Sequence, residues 1–131
     1  MIITEKFHEN CFACGEHSKS GLKLEFKSLE NNTLYGKFKI SNHYQGYDNL
    51  SHGGIISTIL VSSMINLFYM KNGLELKTAK LNIRFRKSIP TEKTITVIAI
   101  ADNYVRHFYR AKSQIKIKDT VFAEAEGYFR E

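Results

Sequence analysis

Between Asn49 and Met70 the chain carries no Asp, Glu, Lys or Arg. The run NLSHGGIISTILVSSMINLFYM contains His52-Gly53-Gly54 near its start, and Asn72-Gly73 closes it, so both ends carry helix punctuation. It reads as one helix of about 20 residues, roughly 30 Å long by its rise. Apolar side chains fall on nearly every side of it, so other structure must surround it.

The flanking segments follow a different period. In Leu22 to Leu29, Leu22, Leu24 and Phe26 alternate with Lys23, Glu25 and Lys27, which predicts a half-buried strand. Asn31-Asn32 marks a turn, and Leu34, Phe38 and Ile40 continue opposite Tyr35, Lys37 and Lys39. These two strands predict a hairpin. After the helix, Ala79, Leu81, Ile83 and Phe85 alternate with Lys80, Asn82, Arg84 and Arg86. Thr94 to Ala101 is apolar on both faces, which predicts a central strand. Tyr109 to Lys118 alternates again, and Thr120 to Arg130 carries Ala123 and Ala125, small enough for a helix to approach closely. Short strands joined by short turns favour antiparallel pairing. The expected fold is therefore α+β: an antiparallel sheet curled around a long central helix.

Composition narrows the class. A chain of 131 residues suits a single domain spanning 1–131, and 24% charged residues suit a water-exposed surface. A bilayer span needs about 20 mostly apolar residues. Here His52, Gly53, Gly54, several Ser and Thr residues and Asn66 interrupt the run, so no membrane span is expected. The opening MIITEKFHEN lacks the apolar stretch of a secretion signal, and only two cysteines occur, so a reducing cytoplasm is the expected compartment. The net charge is +6, and from Asn103 to Lys118 there are five basic residues, Arg106, Arg110, Lys112, Lys116 and Lys118, and no acid. Such a patch attracts anions: nucleic acid, lipid headgroups or a ligand that carries phosphates. No recognised nucleic-acid-binding module accompanies it, so nucleic acid is not the expected partner.

Three stretches together resemble the hotdog-fold thioesterases, in particular the branch similar to phenylacetyl-CoA thioesterases. They are Cys11-Phe-Ala-Cys14-Gly15 with Gly21-Leu-Lys-Leu; His43-Tyr-Gln-Gly-Tyr47 leading into His52-Gly53-Gly54; and Leu81-Asn-Ile-Arg-Phe-Arg86 running into Ile89-Pro90. The resemblance implies a thioester carbonyl at the helix N-terminus. Unpaired amides and the helix dipole there stabilise negative charge. Mapped onto this chain, Gly53 and Gly54 supply the oxyanion site, with Ser51 or Asn49 as the N-cap. The implied substrate is an acyl-CoA or acyl-carrier thioester, with coenzyme A as part of the substrate and no separate cofactor. The resemblance also implies a homodimer or dimer of dimers, and the alternation at Ala79 to Arg86 offers an edge for pairing.

One departure bears directly on activity. Similar enzymes place an Asp or Glu about two helical turns beyond the second glycine. Here that position is Val61, followed by Ser62, and the helix carries no carboxylate. Hydrolysis needs a group that activates water or attacks directly. Candidates are the hydroxyls of Ser57 and Thr58 on the face of Gly54, Asp48 and Asn49 just before the helix, and His52 as a proton shuttle. Val61 and Ser62 would line the acyl site, and Arg84, Arg86 and Lys87 would meet the phosphates. Two functions stay open: an acyl-CoA thioesterase, or a non-catalytic acyl-thioester binder.

The segment HENCFACGEH sets His8, Cys11, Cys14 and His17 at even intervals, all zinc-ligand types. Zinc sites join two separated arms, whereas this is one short arm. The strand-helix setting of a thioredoxin-like redox pair is also missing. No metal is expected.

Overall fold

A computed structural model of the chain describes residues 11–15, 17–18 and 21–131. The remaining residues, His8 among them, lie outside this description. Among the described residues, six strands and one long helix form the fold: β1 (Lys27–Leu29), β2 (Thr33–Lys39), α1 (Gly53–Asn72), β3 (Lys77–Phe85), β4 (Thr94–Ala101), β5 (Tyr109–Ile117) and β6 (Thr120–Arg130). They make one antiparallel sheet in the order β1-β2-β4-β5-β6-β3.

Asn31 and Asn32 both adopt positive φ, 58° and 52°, within the three-residue loop (residues 30–32) that joins Leu29 to its register partner Thr33 and closes the β1–β2 hairpin. The first strand is shorter than Leu22 to Leu29. Residues 22–26 run alongside the Cys11 turn instead: Leu22 N–H donates to the Phe12 carbonyl (2.8 Å) and Leu24 N–H to the Ala13 carbonyl (2.9 Å). The predicted alternation still holds there, with Leu24 and Phe26 buried. β4 lies in the interior of the sheet as expected, and β3 forms an edge.

The sheet turns one face to α1. Leu34, Val97, Ala99, Ala111, Ser113, Ile115, Ala123 and Phe129 are buried there, with Ile59, Leu60, Met64 and Leu67 of the helix. Small residues on β6 set the approach distance. A Cβ on Gly127 would fall 2.7 Å from the Phe129 ring and 3.2 Å from Met64. Buried side chains of the helix make hydrogen bonds within it and to β5, while Asn66 Oδ1 has no partner among the described residues. The Ser63 hydroxyl donates to the Leu60 carbonyl and meets the Ser113 hydroxyl at 2.7 Å, and Asn66 Nδ2 donates to the Ser62 carbonyl at 2.8 Å. Gly73, with φ 68°, ends α1 by returning its N–H to the carbonyl of Tyr69.

The helix is not sheathed all round. Ile56, Ile59, Leu60, Ser62, Ser63, Met64, Asn66, Leu67 and Phe68 are buried. The opposite side shows exposed Gly53 and Gly54 and half-buried Ser57, Thr58, Val61, Ile65 and Tyr69 in one stripe. Six strands of this length cover one flank of a 20-residue rod and leave the other flank open. By length and composition α1 could cross a bilayer; half of its apolar window is buried in the protein.

Candidate functional site

The helix N-terminus is held by a network of loop hydrogen bonds. A short 3-10 turn, Asn42–Tyr44, leads into residues 45–51, which fold back so that Gln45 bridges Ser51 and Leu50 bridges Pro90. Ser51 N–H donates to the Ile89 carbonyl (2.8 Å), Thr91 N–H to the Asn49 carbonyl (3.0 Å) and His52 N–H to the Tyr44 carbonyl (3.0 Å). The side chains of Thr91 and Asn42 join the same two segments at 2.6 Å. Two loops thus hold the entrance to α1 from both sides, so the amides of the first turn point in a set direction.

The N-cap is His52, not Ser51 or Asn49. His52 has extended backbone angles (φ −64°, ψ 136°), and its Nδ1 accepts the Gly54 N–H at 2.8 Å. Ser51 is one residue too early, inside the bridge to Gln45, and Asn49 sits in a left-handed turn (φ 61°) with its own N–H on the Gln45 side chain. The Ile55 and Ile56 amides donate to the His52 carbonyl. Only Gly53 of the first turn has an amide without a partner among the described residues. The two glycines therefore differ: Gly53 offers a free donor, while a ligand at Gly54 would have to displace the imidazole. An accepting Nδ1 is unprotonated, which leaves the ring proton on Nε2. In this arrangement His52 is a donor toward solvent and not a base.

Beside Gly53 lies an open pocket of about 300 Å³ lined by Tyr47, Leu50, Ile56, Phe85, Arg86, Lys87 and Ile89, among others. A Cβ on Gly53 would sit 3.9 Å from the Phe85 ring, so the ring forms the wall next to the free amide. Tyr47 and Phe85 are 85% and 53% exposed, an unusual state for large rings at the rim of a pocket. The backbone N–H groups of Arg86 and Lys87 both donate to the Phe122 carbonyl, at 2.8 and 3.0 Å. Lys87 Nζ lies 5.8 Å from the Phe122 ring centroid, and Arg86 Nε forms an ion pair with Glu124.

The other expected residues divide. Ser57 and Thr58 each donate their hydroxyl to the carbonyl one turn back, Gly53 and Gly54, at 2.8 Å. Their lone pairs remain free to accept. Val61 lies on the open stripe with Gly54, whereas Ser62 is buried with its carbonyl engaged by Asn66. Asp48 is exposed in the loop and does not line the pocket. Arg86 and Lys87 line this pocket and Arg84 does not. It pairs in register with Glu124 and lines a separate cleft with Lys112 and Gln114 on the opposite face of the sheet. Alternation decides this, because Ile83 and Phe85 take the helix-facing positions. The sequence reading did not single out Tyr47, Phe85 or Ile89 as pocket walls. The signal was available in the phase of β3, which puts Phe85 on the helix side at the strand's last residue.

The cysteines stand apart from the pocket. Cys14 is buried, accepts from Asn66 Nδ2 at 3.6 Å, and its thiol is pushed from the ordinary 9.0 up to about 12, chiefly by burial. Among the described residues no group of three or more His, Cys, Asp or Glu side chains could hold a metal.

No protein-family model matches the chain, and no curated protein matches it by sequence. Its structure is similar to that of a thioesterase superfamily protein at TM-score 0.83 and 19% identity, covering 94% of this chain. This chain spans 61% of the length of that one. It is also similar to smu.793 of Streptococcus mutans UA159 bound to acetyl-CoA, at TM-score 0.71 and 17% identity over 80% of this chain and 85% of that one. The E. coli PaaI protein from the phenylacetic acid degradation operon matches at TM-score 0.73 and 13% identity, over 81% of each chain. At these identities the likeness establishes the fold: a long helix against an antiparallel sheet in the hotdog arrangement.

Proposed function

We propose that this protein is a thioesterase-like acyl-thioester binder, with the ligand's carbonyl oxygen at the Gly53 amide. The observation that carries the reading is the unpaired Gly53 N–H at the positive end of a 20-residue helix, opening into a walled pocket. A thioester carbonyl brings partial negative charge to that point, where an unpaired donor and the helix dipole both favour it. Leu50, Ile56 and Ile89 give the pocket apolar contact, and Arg86 and Lys87 lie where an anionic carrier such as coenzyme A would find cations. The acetyl-CoA bound to the structurally similar smu.793 supports the same ligand class.

Hydrolysis is the second reading, favoured by the resemblance to thioesterases. The side chains argue for binding. Val61 occupies the open stripe where a carboxylate would serve, and His52 holds Gly54 with the nitrogen a base would use. Ser57 and Thr58 can hold a water by their lone pairs, yet neither removes its proton unaided. A homodimer, or a dimer of dimers, paired at β3 would complete the open side of the helix and the pocket rim.

The test is a panel of acyl-CoA esters followed in parallel for equilibrium binding and thiol release. Saturable binding with little release is expected of the wild type, and Val61→Asp should raise release at least about tenfold by restoring a base. Fast release by the wild type would select the hydrolase. No saturable binding to any ester would contradict both readings.

A further inference from the structure

We propose that Glu124 is a latch on Arg86 and sets how strongly the Gly53 pocket holds the phosphate-bearing carrier of a thioester; this rests on the ligand reading above. Arg86 lines the pocket, but its guanidinium is ion-paired to Glu124. Glu124 belongs to the sheet face turned away from the helix. Its chain neighbours Ala123 and Ala125 are buried toward α1, and its register partners are Gln114 and Arg84. The pair therefore holds the guanidinium toward the far face of the sheet, at the edge of the pocket that Arg86 lines. The Arg86 backbone is pinned, because Arg86 and Lys87 both donate to the Phe122 carbonyl. Only the side chain needs to swing.

Both partners are solvent-accessible, 45% for Arg86 and 34% for Glu124, so the contact is a weak one that a polyanion can outcompete. A ligand with several phosphate charges gains Arg86 by breaking the latch. A thioester without phosphates gains nothing by doing so. The carboxylate of Glu124 thus acts on selectivity for the carrier and not on the acyl group, and Glu124 is a positioning residue that works through Arg86.

The experiment compares hexanoyl-CoA with S-hexanoyl-N-acetylcysteamine, which has the same acyl thioester and no phosphate, by equilibrium binding at low ionic strength. Glu124→Gln should tighten hexanoyl-CoA about three- to fivefold, the strength expected of an exposed ion pair, and leave the cysteamine ester unchanged. Adding Arg86→Gln should abolish that gain. Glu126→Gln makes the same charge change on the same face but touches Arg110, and it should alter neither ligand. The latch is overturned if Glu124→Gln leaves hexanoyl-CoA unchanged or weakens it, tightens both esters equally, or is matched by Glu126→Gln. Binding of both esters with no change in their ratio would sink the latch alone. Failure of the wild type to bind either would sink the reading beneath it as well.

Discussion

A glycine at the first position of a helix has an N–H with no intrahelical acceptor, and the cap usually compensates for the donors beside it. Here the cap is a histidine, and its ring serves Gly54 while passing over Gly53. The His-Gly-Gly motif pointed to this spot in the sequence. It could not distinguish the two amides, because that difference depends on a side-chain rotamer and not on residue type. Cys14 was equally opaque. Its pairing with Asn66 joins residues far apart in the chain, and it is buried in the same cluster as Leu24, Ile59 and Leu67. The folded protein holds the Cys14 proton to about pH 12, whereas the unfolded chain releases it near the ordinary 9.0. The stability due to this thiol is therefore complete below the ordinary value and is lost as pH rises from 9.0 to about 12. Chemical denaturation across that window should show a steeper decline for the wild type than for Cys14→Ala. Parallel declines would mean that the thiol is not buried as described.

At the level of elements, β4 read as apolar on both faces, so no inward side was assigned to it; it buries Ile95, Val97 and Ala99. Period-2 alternation located β2, β3 and β5 with their inward faces, apart from Ala79 at the register shift in β3, because a half-buried ladder leaves that trace in residue order. It overextended β1, since an extended segment can place alternate residues in the core without joining a ladder. β3 is the least covered element. Leu81 and Ile83 are only half-buried, and one edge of the strand has no neighbour in the sheet. An open edge of this kind invites a second strand. Light scattering at micromolar concentration should therefore give a dimer or a dimer of dimers, and Ile83→Lys should shift it toward monomer. A monomeric wild type would contradict pairing at β3. The phase of β3 puts Arg84 on the far face beside Glu124, whereas Arg86 lies beyond the strand's last residue and lines the Gly53 pocket.

On the scale of the whole molecule, the sheet supports α1 along one flank, and two cross-bonded loops hold its N-terminus open beside a pocket. The fold class was legible in the sequence because an uncharged helix among alternating strands has few ways to be buried. The extent of burial was not legible, because composition does not say how far a sheet curls. The open stripe of Ser57, Thr58, Val61 and Ile65 is the result, and it leaves room for a ligand or a second subunit against the helix. The central claim is that the free amide of Gly53 receives a thioester carbonyl. Gly53→Pro tests it with little disturbance to the fold. Proline is well accommodated at the first helical position, His52 already has the extended angles that a residue before proline requires, and a Cβ would make only an ordinary contact with Phe85. Titration of hexanoyl-CoA against wild type and Gly53→Pro, with melting followed alongside, is the most direct measurement. The variant should melt within a few degrees of the wild type and bind at least about tenfold more weakly, the cost of one well-placed hydrogen bond. Undiminished affinity in a folded Gly53→Pro protein would contradict the account.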